Sequence, residues 1–179
     1  MIQRNSTLLN LNDQNKSRWL TSHENEHQII FNYLNTLFAN SVNNNYSFQG
    51  QQTQYATISS SLVFTGTGVI LTPQNSGIIE IKLDARIENN AAGDSTLLNI
   101  NYTPGTTLIG GGNTATGISV LPATLIYTSL IANQVFESHI DYLITGLTLK
   151  TSYIFQPIIE ANGGGTAFFT QINMWVKEI

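Results

Sequence analysis

The residues best suited to chemistry by type and spacing are His23, Glu24 and His27, within the run His23-Glu24-Asn25-Glu26-His27. On a helix, histidines at i and i+4 share one face and can grip zinc, with the adjacent glutamate as general base. A catalytic zinc also needs a third protein ligand and a cleft. The extension that would carry a further histidine is missing, and no acid follows Glu26 until Glu80. The run is therefore read as the polar start of a helix, with Thr21 and Glu24 forming a capping box, and no metal is assigned to it.

A second group is Glu137, His139 and Asp141, alternate residues that share one face of a strand. A histidine between carboxylates can hold a cation or titrate near neutral pH. The plainer reading is an exposed polar strand face; whether three copies converge on a threefold axis to bind a cation is left open by one chain. The loop from Thr103 to Gly117 is rich in glycine, but it lacks a lysine and opens no helix, so it is not a phosphate cradle. No nucleophile elbow or phosphate loop is present, and the acids fall on strand faces and turns. No catalytic residue and no cofactor is assigned, and the chain is expected not to be an enzyme.

These side chains need elements to hold them, and the chain changes character near residue 50. Residues 1–50 contain the one helical pattern, expected at about 22–39, where Ile30, Phe31, Leu34, Leu37 and Phe38 recur at spacings of three and four. An isolated amphipathic helix of this length cannot bury its stripe alone. With Trp19, those five residues are expected to attach the segment to a partner, and Asn40–Tyr46 reads as a linker. From about residue 51, strands are expected near 53–59, 61–64, 68–72, 77–88, 95–102, 116–121, 123–129, 134–145, 151–160 and 166–178. The strand with the cleanest alternation runs Ile79, Ile81, Leu83, Ala85, Ile87 inward against Glu80, Lys82, Asp84, Arg86, Glu88 outward. The closing strand splits into Phe168, Thr170, Ile172, Met174, Val176 on one face and Phe169, Gln171, Asn173, Trp175, Lys177 on the other. Two large aromatics on that second face want burial, so Phe169 and Trp175, with Tyr153, are expected at an intersubunit contact. Pro157 places its strand at an edge or at a bulge.

Composition bounds the partners. Charged residues are 10% of the chain, against a usual figure of about 25%, and the net charge is −4. Phosphate binding needs a dense basic face, so no nucleic acid is expected. No stretch is long and apolar enough for membrane insertion, and residues 1–20 lack a secretory signal pattern. Cysteine is absent, so disulfides play no part.

The segment TGTGVILTPQNSGIIEIKLDARIEN (65–89), the glycine-rich loop, the corner ITGLTLKTSYIF (144–155) and the strand FFTQINMWVKEI together resemble jelly-roll heads at the tips of phage head and tail fibres, of the tumour-necrosis-factor-like or complement-like type. The resemblance covers about 51–179. It implies an all-β, ten-stranded, two-sheet jelly roll that forms a homotrimer, preceded by an extended segment and one helix. It also implies a trimeric head fibre or capsid decoration on the virion exterior. Residues 1–50 would dock on a capsid or other virion protein, and the head would adhere to a host glycan or surface protein. A tail-fibre receptor-binding tip and a monomeric carbohydrate-binding module are the alternatives. The Thr145-Gly146-Leu147…Tyr153 corner is also similar to a tyrosine corner.

Overall fold

A computed structural model describes residues 45–179, together with Ile30. The chain divides into two compact units, Met1–Asn43 and Asn44–Ile179. The expected helix at about 22–39 lies outside the described residues except for Ile30, which has helical backbone and is exposed.

The second unit is all-β. Its strands are β1 (Tyr46–Gln49), β2 (Tyr55–Thr57), β3 (Val63–Phe64), β4 (Val69–Leu71), β5 (Ile79–Asn89), β6 (Ser95–Pro104), β7 (Ile118–Ser119), β8 (Leu125–Thr128), β9 (Gln134–Ile144), β10 (Tyr153–Asn162) and β11 (Ala167–Glu178). Each of the ten expected strands has a counterpart. β1 was expected to be linker and attachment segment.

One sheet runs β1-β11-β5-β9, with β2 also on β11; the other runs β3-β10-β6-β7, with β4 on β10 and β8 on β6. All pairs are antiparallel. The pairing is nested: β1 and β2 meet β11, β3 and β4 meet β10, β5 meets β9, and β6 meets β7 and β8. Such nesting brings the two ends of the unit together and is compatible with a jelly-roll-like β-sandwich. The core lies between the sheets. Ile79, Ile81, Leu83, Ala85 and Ile87 line it from β5, opposite Leu98 and Ile100 of β6 and Phe155 and Ile159 of β10.

Two details depart from the sequence expectations, and a third adds to them. First, β11 slips by one residue against β5, since Gln171 pairs with Ala85 but Asn173 with Asp84, leaving Ile172 as the extra residue of a bulge. A one-residue slip exchanges the faces of everything beyond it. Phe169 and Gln171 therefore point inward before the bulge, and Met174, Val176 and Glu178 point inward after it. The expected placement of Phe169 opposite Met174 is corrected: Phe169 is 1% exposed and belongs to the core.

Second, β10 is not an edge. It pairs along its length with β6 on one side and with β4 and β3 on the other. Pro157 is tolerated because the flanking ladder is interrupted between β3 and β4. There the Pro157 carbonyl accepts the Thr65 N–H at 3.1 Å, and the N–H that proline lacks would face the same interruption.

Third, β10 is buried on both faces, which its continuous apolar run YIFQPII signals. Its outer side chains Ile154, Gln156 and Ile158 are covered. Gln156 clamps the glycine-rich loop by accepting the Ile109 N–H (2.8 Å) and donating to the Ile109 carbonyl (2.9 Å). Gly117 of that loop (φ +110°) lies so close to Tyr102 O and Asn101 Oδ1, each 2.8 Å from a Cβ placed there, that only glycine fits. The loop is a lid over the sheet.

The corner behaves as expected: the Thr148 N–H donates to the Tyr153 hydroxyl at 3.1 Å. Next to this corner, the buried Glu178 carboxylate accepts the N–H groups of Gln74 (2.7 Å), Asn75 (2.7 Å), Ser76 (2.6 Å) and Gly77 (3.2 Å). Burial by itself pushes this carboxyl up, but the backbone donors from Gln74, Ser76, Asn75 and Gly77 together hold it down at about 2.

Because the folded value lies below the ordinary carboxyl value of 4.5, the stabilisation is complete above about pH 4.5 and is lost as pH falls toward 2. Its size is roughly 3 kcal/mol. Glu178→Gln is expected to lower stability at pH 7 by roughly 2–3 kcal/mol in urea unfolding and to flatten that acid decline. A variant as stable as the parent at pH 7 would show that the N–H groups find other partners.

Candidate interaction face

The two sheets differ on their outer sides. The outer face of β10 is covered by the 105–117 loop, while Ile126 of β8 in the same sheet stays exposed; among the described residues nothing lies over the outer face of the β1-β11-β5-β9 sheet. On that bare face the register sets side chains in rows. Tyr46, Lys177, Glu80 and Leu143 form the first, and Phe48, Trp175, Lys82 and Asp141 the second. Then come Asn173, Asp84 and His139, followed by Thr170, Arg86 and Glu137, and last Ala56, Phe168, Glu88 and Val135.

The first two rows form an aromatic end. Tyr46 and Phe48 are 55% and 54% exposed, with ring centroids 6.4 Å apart and planes at 11°. Trp175 is tilted against Tyr46 at 6.4 Å and half-buried. The Lys82 ammonium sits 4.9 Å from the Trp175 ring centroid, within cation–π range. Asp141 and Glu80, at 3.1 and 3.3 Å, hold that ammonium above its ordinary pKa.

The middle rows hold cross-strand polar pairs. His139 Nδ1 lies 2.5 Å from Asp84 Oδ1, and Arg86 Nε lies 3.9 Å from Glu137 Oε1. Glu137, His139 and Asp141 do share the exposed face of β9, as their spacing predicts. Each meets a β5 side chain rather than the other two, and no group of three or more metal-ligating side chains converges among the described residues. At the opposite end from the aromatic rows, Arg86, Glu88, Glu137 and Phe168 with Gln54, Val135 and Thr170 line an open depression of about 560 Å³.

Of the three residues expected at an intersubunit contact, Trp175 lies on this face. Phe169 and Tyr153 are packed in the chain's own core, Tyr153 because it closes the corner described above. Trp19, Phe31, Leu34, Leu37 and Phe38 lie outside the described residues, as do His23, Glu24 and His27; Ile30 is 57% exposed. Tyr46, Phe48 and Phe168 were not singled out from sequence. The alternation Tyr46-Ser47-Phe48-Gln49 is the signal for the first two, hidden by the asparagine run before it.

No protein-family model and no curated protein matches the chain. Solved structures similar to it include the Clostridium thermocellum N-terminal endo-1,4-β-D-xylanase 10B CBM22-1–GH10 modules complexed with xylohexaose, at 16% identity over 73% of this chain and 26% of that one, with a TM-score of 0.34. Another is infectious bursal disease virus, Gx strain, at 13% identity over 72% and 32%, with a TM-score of 0.36. The chain spans about a quarter and a third of their lengths, and likenesses this distant carry nothing about function.

Exposed ion pairs add little to stability, typically up to about 1 kcal/mol. Asp141→Asn is expected to lower the urea midpoint by no more than that corresponds to, with the difference vanishing in 1 M NaCl. A salt-independent loss of several kcal/mol would show that the pair does more than align β5 with β9.

Proposed function

We propose that this chain is a non-enzymatic virion structural protein: a homotrimeric head fibre or capsid decoration with a tumour-necrosis-factor-like jelly-roll head. The segment that precedes β1 attaches it to a capsid or other virion protein, and the head, which includes β1, is displayed on the particle exterior for adhesion to the host surface. The observation that carries the reading is the asymmetry of the sandwich. Over β10 one sheet face is crossed by the chain's own loop, while among the described residues nothing covers the other, which ends in Tyr46, Phe48 and Trp175. Aromatic side chains are enriched at protein–protein interfaces, and leaving Tyr46 and Phe48 more than half exposed is unfavourable unless something covers them. A sister copy supplies that cover in a closed trimer. The nested strand order and the sequence pattern at 65–89 and 144–155 agree with the same reading. Three linked heads then turn weak host contacts into avidity.

A tail-fibre receptor-binding tip would use the same head in another place on the particle. A monomeric carbohydrate-binding module is the second reading, favoured by the near-parallel Tyr46 and Phe48 rings, which form a platform of the kind that stacks on sugars.

Light scattering on the purified chain at micromolar concentration is expected to give three times 19.7 kDa. Phe48→Glu and Trp175→Glu are each expected to shift the protein to monomer while leaving its thermal unfolding cooperative. A monomeric parent protein overturns the trimer, and a monomer whose glycan binding is lost in Trp175→Ala establishes the carbohydrate module instead.

A further inference from the structure

We infer that the depression at the end of the bare face opposite Trp175 is a binding site for a neutral hexose. The inference rests on the adhesive part of the function proposed above and names the class of ligand. The site is built by register. Arg86 and Glu88 are alternate residues on the outer face of β5. Glu137 of β9 stands opposite Arg86, and Phe168 of β11 stands opposite Glu88. The volume, about 560 Å³, falls in the range of roughly 300–1,000 Å³ typical of small-molecule sites.

The polar groups are placed but not consumed. Among the described residues the only polar contact of Arg86 is the 3.9 Å approach of Nε to Glu137, and Glu88 has no side-chain hydrogen bond or ion pair. A guanidinium offers five donors in a fixed fork and no acceptor, while a carboxylate offers acceptors only. The ligand that satisfies both must present donors and acceptors on neighbouring atoms, as the vicinal hydroxyls of a pyranose do. Each hydroxyl can donate to Glu88 or Glu137 while its oxygen accepts from Arg86, and such charge-assisted bonds are the strong ones. Phe168, half-buried on the same outer face, offers its ring to the apolar C–H side of the sugar.

Charge narrows the class further. Two carboxylates against one guanidinium repel a uronic or sialic acid, and the guanidinium between them opposes a bare metal cation. The site also lies clear of the aromatic end. Trp175 pairs with Lys82 and Phe168 with Glu88, six residues apart on β5, or roughly 20 Å at strand spacing. A trimer closed through Tyr46, Phe48 and Trp175 therefore leaves the depression open.

The test uses the full chain and the methyl glycosides of glucose, galactose, mannose and N-acetylglucosamine, followed by ligand-observed NMR and calorimetry. At least one is expected to bind with a dissociation constant on the order of millimolar, as single weak sugar contacts do. Arg86→Ala, Glu137→Gln and Phe168→Ala are each expected to weaken it by about tenfold or more. Thermal unfolding separates misfolding from lost binding, and Glu88→Gln provides a variant of nearly unchanged shape. Absence of binding at tens of millimolar overturns the site, as does binding indifferent to Arg86→Ala and Phe168→Ala. Preference for glucuronic or sialic acid overturns the ligand class. Light scattering on the same samples reports the oligomeric state separately, so failure of the trimer and failure of the sugar site are told apart.

Discussion

The side chains that β11 shows to the core and to solvent depend on one extra residue. With Ile172 set aside at the bulge, Phe169 and Gln171 share the inner face with Met174, Val176 and Glu178. Without it, either the first or the second half of the strand would turn its apolar side to water. Gln171 explains how the irregularity is held. Fully buried, it donates to the Gln49 and Gly50 carbonyls (3.3 and 3.2 Å) and accepts from the Thr67 hydroxyl (3.0 Å). Its own carbonyl accepts the Gln52 N–H at 3.0 Å. A buried carboxamide with its bonds made stabilises one arrangement and strongly disfavours others. This one ties the connection between β1 and β2 to the connection between β3 and β4, so the bulge, both sheets and the start of the unit share one polar knot.

The difference between the two sheets follows from how each outer face is treated. Over β10, a loop of glycines comes close enough to hydrogen-bond with Gln156 and with the β3 backbone, where the Phe64 N–H reaches the Asn113 carbonyl and the Gly112 N–H reaches the Phe64 carbonyl, both at 2.9 Å. That cover lets Ile154 and Ile158 be apolar. Over β5 there is no such loop among the described residues, and the outer residues are charged instead. The consequence runs from composition to function: chain spent on a lid removes a surface, and chain left out of a lid presents one.

Much of this was legible in the sequence because period-2 alternation reports burial directly. The β5 alternation gave its faces without error, since five apolar and five charged residues admit one register. The Tyr153 corner was legible from Thr145-Gly146-Leu147 and the spacing to the tyrosine. The β11 faces were not, because a bulge leaves the alternation of each half intact and changes only the phase between them. Pro157 misled for a related reason: the rule against proline concerns the missing donor, and whether a neighbour needs that donor is decided by the partner strand. β1 was lost because four residues next to an asparagine run carry too little pattern, while their pairing with β11 is a long-range event. On the bare face, the outward charges of β5 were legible one by one, but their partners on β9 and β11 were set by register between distant strands.

The edge of the bare sheet shows why its face, rather than its rim, suits controlled assembly. β9 is eleven residues long and terminates the sheet order, the kind of edge that invites pairing with another copy. Antiparallel self-pairing centred on His139 would set Val135 against Leu143, which is favourable, but it would also set Glu137 against Asp141 twice, and directly opposed like charges destabilise a pair. Within the chain the same two carboxylates meet Arg86 and Lys82 on β5. Their placement therefore favours the native neighbour and opposes the edge-on one. Antiparallel self-pairing of one rim is a two-fold contact that closes at a dimer, whereas a heterologous contact through a face can close as a ring of three. On the face itself, Tyr46, Phe48 and Trp175 gather the aromatic surface at one end, beside the pairs that Lys82 makes with Asp141 and Glu80.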